Sequence, residues 1–213
     1  MIVKQIRCHL QEDSMERFAV GQEQWKSIRS RDGFLWQFGG FDVVKKDTAL
    51  ILSCWETVED YNAFMNEDHD RIYEYSGQKD CCKSIVTSLF EKPIEFKPET
   101  PLDSRKFQFC KLTDSFVYNE QVQHFEKAQT EIWAPGFKDV LSLHQGFFLK
   151  HNDVEQRFLN IYLWVDEMSQ QEFLHEEYAE LYSKANPVMD LQAFKNFQFI
   201  VEPAWWVEKS RKL

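Results

Sequence analysis

His69 is the residue of this chain best placed to move a proton. It follows Met65 by four positions and Tyr61 by eight. At helical spacing it borders an apolar stripe of Val58, Tyr61, Phe64, Met65 and Ile72. A neutral imidazole at such an edge can relay a proton at working pH. The competing reading is a boundary histidine bonded to backbone. Trp25, Trp36 and Trp55 could stack a flat ligand such as a quinone or polyketide ring, with Phe64 and Tyr73 as further walls; each alone also suits ordinary core packing. Asp68-His69-Asp70 does not make a metal cluster, because consecutive helical residues point in different directions. His144, His151 and His175 are scattered and suit surface positions. Cys81-Cys82 falls in a loop, and adjacent cysteines rarely form a relaxed disulfide. GxGxxG, P-loop, GxSxG and HExxH patterns do not occur, so no cofactor and no metal is expected.

The 213 residues suffice for one large domain or two small ones. Hydrophobic residues make up 43% and aromatic residues 15%, enough for a substantial core rich in rings. Seven glycines and six prolines argue against disorder. A net charge of −10 disfavours nucleic acid and anionic membrane as partners, since both need clustered Lys and Arg. The N-terminus lacks a signal-peptide pattern, and no apolar run approaches the ~20 residues of a membrane span. Five cysteines without CxxC spacing read as thiols of a cytoplasmic protein.

The elements that must position these residues are written twice. Trp55, Phe64, Met65, Glu67, Ile72 and Tyr73 recur 109 residues on as Trp164, Phe173, Leu174, Glu176, Leu181 and Tyr182. In the first half, alternation predicts strands over 2–10, 34–41, 49–55 and 84–90. Lys4 is the exception on the apolar side of the first. Helical spacing predicts one helix through Met15, Phe18, Gln22, Trp25 and Ile28. A second follows the capping pattern of Thr57 and Asp60. Gly39-Gly40 suggests a bulge. The second half repeats the order, with strands over 107–112, 140–149, 158–164 and 197–201 and helices over 119–133 and 169–183. Phe125 and Gln129 echo Phe18 and Gln22.

This β-α-β-β-α-β order, twice, predicts an α+β chain of tandem ferredoxin-like repeats. The first domain is expected over 1–97, a linker over 98–105, the second domain over 106–208 and a tail over 209–213. Leu50, Leu52 and Cys54 are expected beneath the helices. Ile51, Ser53 and Trp55 on the opposite face are too apolar for water. The expectation is that the two sheets pack on each other as a fused dimeric α+β barrel, a pseudo-dimer within one chain. Further homo-oligomerisation stays open.

Gly33-Phe34-Leu35-Trp36-Gln37-Phe38-Gly39-Gly40 after Trp25 carries a resemblance. So does Cys54-Trp55-Glu56, followed by Tyr61, Phe64-Met65 and His69-Asp70. The chain resembles the antibiotic-biosynthesis-monooxygenase-like proteins of the dimeric α+β barrel superfamily, and within them a bacillary family. The second half resembles it more weakly, through Gly136-Phe137, Trp164, Phe173 and Tyr182. The resemblance implies the fold, a histidine lining a helix–sheet pocket, and cofactor-independent chemistry. Phe64 and Glu74 stand nearest the Trp and His used by haem-degrading relatives, which argues against haem degradation. The expected function is binding a small hydrophobic, aromatic molecule in the first half, with cofactor-independent oxygenation or isomerisation, His69 as proton relay and Trp25, Trp36, Trp55, Phe64 and Tyr73 as walls. The alternatives are a non-catalytic ligand-binding or stress-associated module, and an interaction scaffold anchored by Trp205-Trp206.

Overall fold

The computed structural model describes residues 1–97 and 102–210. The linker expected over 98–105 and the tail expected over 209–213 therefore lie partly outside the described residues. The chain forms two compact units, one of Met1–Leu89 with the chain from Phe199 on, the other of Phe90–Gln198. They part inside a strand rather than at the expected linker.

In the first unit, β1 (Ile2–Leu10), β2 (Phe34–Phe41), β3 (Thr48–Trp55) and β4 (Cys82–Glu95) stand in the order β4-β1-β3-β2. This is the ferredoxin-like arrangement. Helix α1 (Met15–Gln22) tightens into a 3₁₀ segment over Glu23–Ser30. Helix α2 (Val58–Phe64) passes through a π turn at Met65–His69 into α3 (Asp70–Ser76). Thr57 caps α2 by accepting from the Asp60 amide at 3.1 Å, and its hydroxyl donates to the Asp60 carboxylate at 2.6 Å. Gly77 ends α3 at φ 66°, the left-handed position that glycine fills without steric cost.

The second unit repeats this with β5 (Phe109–Val117), β6 (Leu143–His151), β7 (Arg157–Trp164) and β8 (Leu191–Ile200) in the order β8-β5-β7-β6. The far end of β4 pairs with β6 from Phe90↔His151 to Glu95↔Phe147. Helix α4 (Val122–Ala128) runs through a π turn at Gln129–Trp133 into α5 (Ala134–Phe137). The single helix expected over 169–183 is two, α6 (Glu167–Glu176) and α7 (Tyr178–Ala185), parted at Glu177.

Three expectations are corrected. First, the sheet faces are exchanged. Ala49, Ile51 and Trp55 sit in the clusters with helix residues Phe18, Trp25, Ile28, Tyr61 and Phe64, so theirs is the helix-facing side. Leu50, Leu52 and Cys54, each 0% exposed, form the other. Apolar residues on both sides leave alternation unable to say which faces what. Second, the bulge lies at Leu35, not at Gly39-Gly40. Phe34 pairs with Trp55 but Trp36 with Cys54, and from there the register runs unbroken to Phe41↔Ala49. The glycines answer to space: a Cβ on Gly39 would meet the Leu50 carbonyl oxygen, and one on Gly40 that of Ile200. Third, the Trp205-Trp206 tail is not a free anchor. Trp205 is 2% exposed, edge-on to Phe18 and Phe41, while Trp206 stacks on Phe38. The short strand β9 (Val207–Glu208) then pairs with β2. Among the described residues no helix is long and apolar enough to cross a membrane.

Gly33 enters β2 at φ 69°, and a Cβ there would collide with the capping Asp60 side chain. Gly33→Ala should therefore destabilise the protein by roughly 1–3 kcal/mol. Urea unfolding checks this as a lowered midpoint at unchanged slope.

Candidate functional site

The helix-facing side of the first sheet carries a charge where apolar alternation leads. Lys4 lies on β1 opposite Ser53 of β3, in line with Ile2, Ile6 and Cys8. It is 6% exposed. Its Nζ lies 3.6 Å from Met65 Sδ and 5.3 Å from the centre of the Tyr61 ring. No carboxylate pairs with it among the described residues. Burial pulls the ammonium down to about 8, because the charged form loses its hydration and gains only a ring face and a thioether.

Around it lies a cavity of about 280 Å³ between sheet and helices. Ile51, Ser53, Trp55 and Gln37 form the sheet side, and Trp25, Phe64, Met65, His69 and Tyr73 the helix side. The Gln37 amide nitrogen is buried without a hydrogen-bond partner. Trp25 is held in place by its Nε1, which donates to Gln78 Oε1 at 2.7 Å. The Gln78 amide in turn donates to Gln22 Oε1 at 3.0 Å and to the Phe18 carbonyl at 3.3 Å. Trp55 stacks on Phe64 at 4.8 Å. The walls are aromatic faces, and the sheet side sets Lys4, Gln37 and Ser53 among Ile6, Ile51 and Trp55.

The π turn decides where His69 sits. Five residues along an α-helix turn a side chain about 140° away from its starting direction. A π turn takes more residues per turn and restores the alignment. His69 thus comes back beside Phe64, with ring centres 5.9 Å apart, and lies 5.4 Å from Trp25 and 6.0 Å from Tyr73. Its side chain is 21% exposed. Burial holds the imidazole below its ordinary value, against the opposing pull of Asp70. Nδ1 lies 2.9 Å from Asp70 Oδ1. With the proton on Nδ1 for that bond, Nε2 is left as the basic atom.

Of the expected site residues, His69, Trp25, Trp55, Phe64 and Tyr73 line this one cavity. Trp36 does not. The bulge at Leu35 shifts its phase, so it pairs opposite Cys54 and packs 5.2 Å from Phe38, while Gln37 takes the cavity side. Lys4, Gln22, Gln37 and Gln78 were missed. Lys4 and Gln22 had a signal: both recur 107 residues on, as Lys111 and Gln129, and both line the matching cavity of the second unit. Asp68 pairs with Arg31 and Arg71. His144 is buried at 7% exposure and stacks on Phe107, which corrects its expected surface position.

An isolated buried ammonium trades stability for binding. Unfolded, Lys4 titrates near its ordinary 10.5; folded, near 8. Below about pH 8 both states hold the proton and the full penalty applies. Between about 8 and 10.5 the unfolded chain binds more protons, so this group's contribution to stability rises with pH. Lys4→Met should therefore stabilise the protein at pH 7 by roughly 1–3 kcal/mol. The gap from wild type should close as pH rises through that interval. Thermal unfolding of both proteins from pH 6 to 10.5 checks it.

Residues 2–90 match the model of a domain of unknown function, DUF4937. The chain is 36% identical over 98 residues to the uncharacterized protein YdbC of Bacillus subtilis strain 168, covering 45% of this chain and 82% of that protein. Whole-chain structural likeness extends to a crystal structure described as a candidate monooxygenase from Fusobacterium nucleatum. Its TM-score is 0.79 at 14% identity, covering 100% of this chain and 98% of that one. A second candidate monooxygenase, from Lactobacillus acidophilus, gives 0.75 at 10% identity, covering 98% and 96%. An anthrone oxidase-like protein gives 0.72 at 11%, covering 100% and 94%. At these identities the likeness shows the fold alone, the α+β architecture of two ferredoxin-like repeats expected from the sequence. Through its first half the chain belongs to the family of YdbC.

Proposed function

We propose that the first unit binds a flat, enolisable aromatic molecule and oxygenates or isomerises it without a bound cofactor. The observation that carries this reading is the unpaired Lys4 ammonium on the floor of an aromatic cavity with a basic histidine at its wall. Trp25, Trp55, Phe64 and Tyr73 take the ring faces. Lys4 meets a phenolate or enolate oxygen, where an anion replaces the hydration that burial removed. His69 Nε2 accepts the proton released on enolisation. In the isomerase form the proton returns to another carbon. In the oxygenase form the carbanion passes its electrons to dioxygen, a C–O bond forms, and loss of water turns a CH₂ between two rings into a carbonyl. The neighbours described as monooxygenases and as anthrone oxidase-like support the oxygenase form.

The test uses an anthrone as probe, with oxygen uptake and quinone absorbance as readouts. No flavin or metal is added. Wild type should turn over. His69→Ala should lower kcat about 10²-fold or more, and Lys4→Met should raise KM. The rate should fall above about pH 8 as Lys4 loses its proton. On the acid side it should hold below the ordinary histidine range, because burial keeps His69 neutral there. Unchanged turnover in His69→Ala removes its role. Saturable binding without turnover in wild type replaces the enzyme with a ligand-binding module.

A further inference from the structure

We infer that the second unit carries a binding site of its own, for a hydroxylated aromatic carboxylate. The cavity is about 300 Å³, the size of the smaller small-molecule pockets, ~300 Å³. It occupies the place in this unit that the Lys4 cavity occupies in the first. Lys111 stands where Lys4 stands. No carboxylate pairs with it among the described residues, and burial lowers its pKa.

Several matched positions become more polar, while Gln78 and Cys82 become Pro187 and Leu191. Ile6, Cys8, Ile51, Ser53 and His69 of the first cavity become Thr113, Ser115, Asn160, Tyr162 and Tyr178 here. Two isoleucines, a thiol, a serine and a histidine give way to four hydroxyls and an amide. Several of these are already oriented. Thr113 donates to Asn196 Oδ1 at 2.9 Å and Asn160 to Gln129 Oε1 at 2.9 Å. Trp164, 2% exposed and lining the cavity, has an indole N–H without an acceptor. Such a donor left unmatched in a dry site costs free energy that a ligand acceptor recovers. Trp133, Phe137 and Phe173 supply ring faces. An ammonium for a carboxylate, hydroxyls and amides for ring hydroxyls, and aromatic walls together define the class.

The exchange also removes the base. Tyr178 replaces His69, and burial raises the hydroxyls of both Tyr178 and Tyr162 above their ordinary value. Near neutral pH they stay protonated and donate hydrogen bonds, so this site lacks the histidine base of the first. That holds whatever the first cavity does.

Calorimetry on the full chain decides it, with 3,4-dihydroxybenzoate, its methyl ester and benzoate as probes. The dihydroxy acid should bind, the ester at least tenfold more weakly, and benzoate more weakly than the dihydroxy acid. Lys111→Met should erase the difference between acid and ester, while Lys4→Met should keep it. Tyr178→Phe, which removes one oxygen, should weaken the acid severalfold. No heat from the acid at millimolar concentration overturns the proposal. So does an acid-to-ester ratio that survives Lys111→Met or disappears in Lys4→Met. If Lys111→Met shows no cooperative melt, Tyr178→Phe and Ser115→Ala decide: unchanged affinity in both overturns the site.

Discussion

The structure depends on a buried lysine with no carboxylate partner among the described residues. On β1 the side chains of Ile2, Lys4, Ile6, Cys8 and Leu10 share one face, and that face lies under the helices. An ammonium there forfeits several kcal/mol of hydration if it is left alone. A close-packed core would exclude it. The unit keeps it by leaving a cavity open around it, by offering the Tyr61 ring and Met65 sulfur as soft neighbours, and by holding the walls with a separate polar network. The cavity and the lysine explain each other: without the space the charge could not be held, and without the charge a collapse of Trp25 and Phe64 into the space would be favourable.

The same constraint orders the elements around it. The sheet supplies the floor because strands fix side-chain direction with a period of two. The helices supply walls that can be tuned by one residue. In the first unit the tuning is the π turn at Met65–His69, which brings His69 back to the cavity. In the second unit the π turn moves to the first helix, at Gln129–Trp133, and the second helix breaks at Glu177 instead. The π turns carry His69 in one unit and Gln129 and Trp133 in the other, and the break precedes Tyr178; all four line a cavity. Such irregularities cluster at functional sites because they re-aim a side chain without moving the helix.

The two units share one ground plan but line their cavities differently. Trp55 and Trp164, Phe64 and Phe173, and Tyr73 and Tyr182 keep an aromatic ring at matched positions of the two cavities. Other lining positions change, with Ile6, Ile51 and His69 becoming Thr113, Asn160 and Tyr178. The retained rings keep an aromatic wall in both units, and the changed positions alter the polar groups beside it.

The sequence by itself determined the element order and named five residues that line the first cavity. Trp25, Trp55, Phe64, His69 and Tyr73 were legible because rings and a histidine at helical spacing mark a face whatever its partner is. The same alternation that revealed the strands could not tell which side of β3 meets the helices, because Leu50, Leu52 and Cys54 are as apolar as Ile51 and Trp55. Nor could it place Trp36, since a single extra residue at Leu35 reverses the phase and leaves no mark in composition. Lys4 was visible as an exception on an apolar face. Only the tertiary structure showed that face to be the inside of a cavity, because burial and the absence of a counter-charge are properties of neighbours brought together from Ser53, Tyr61 and Met65, and the chain alone does not state which neighbours those are.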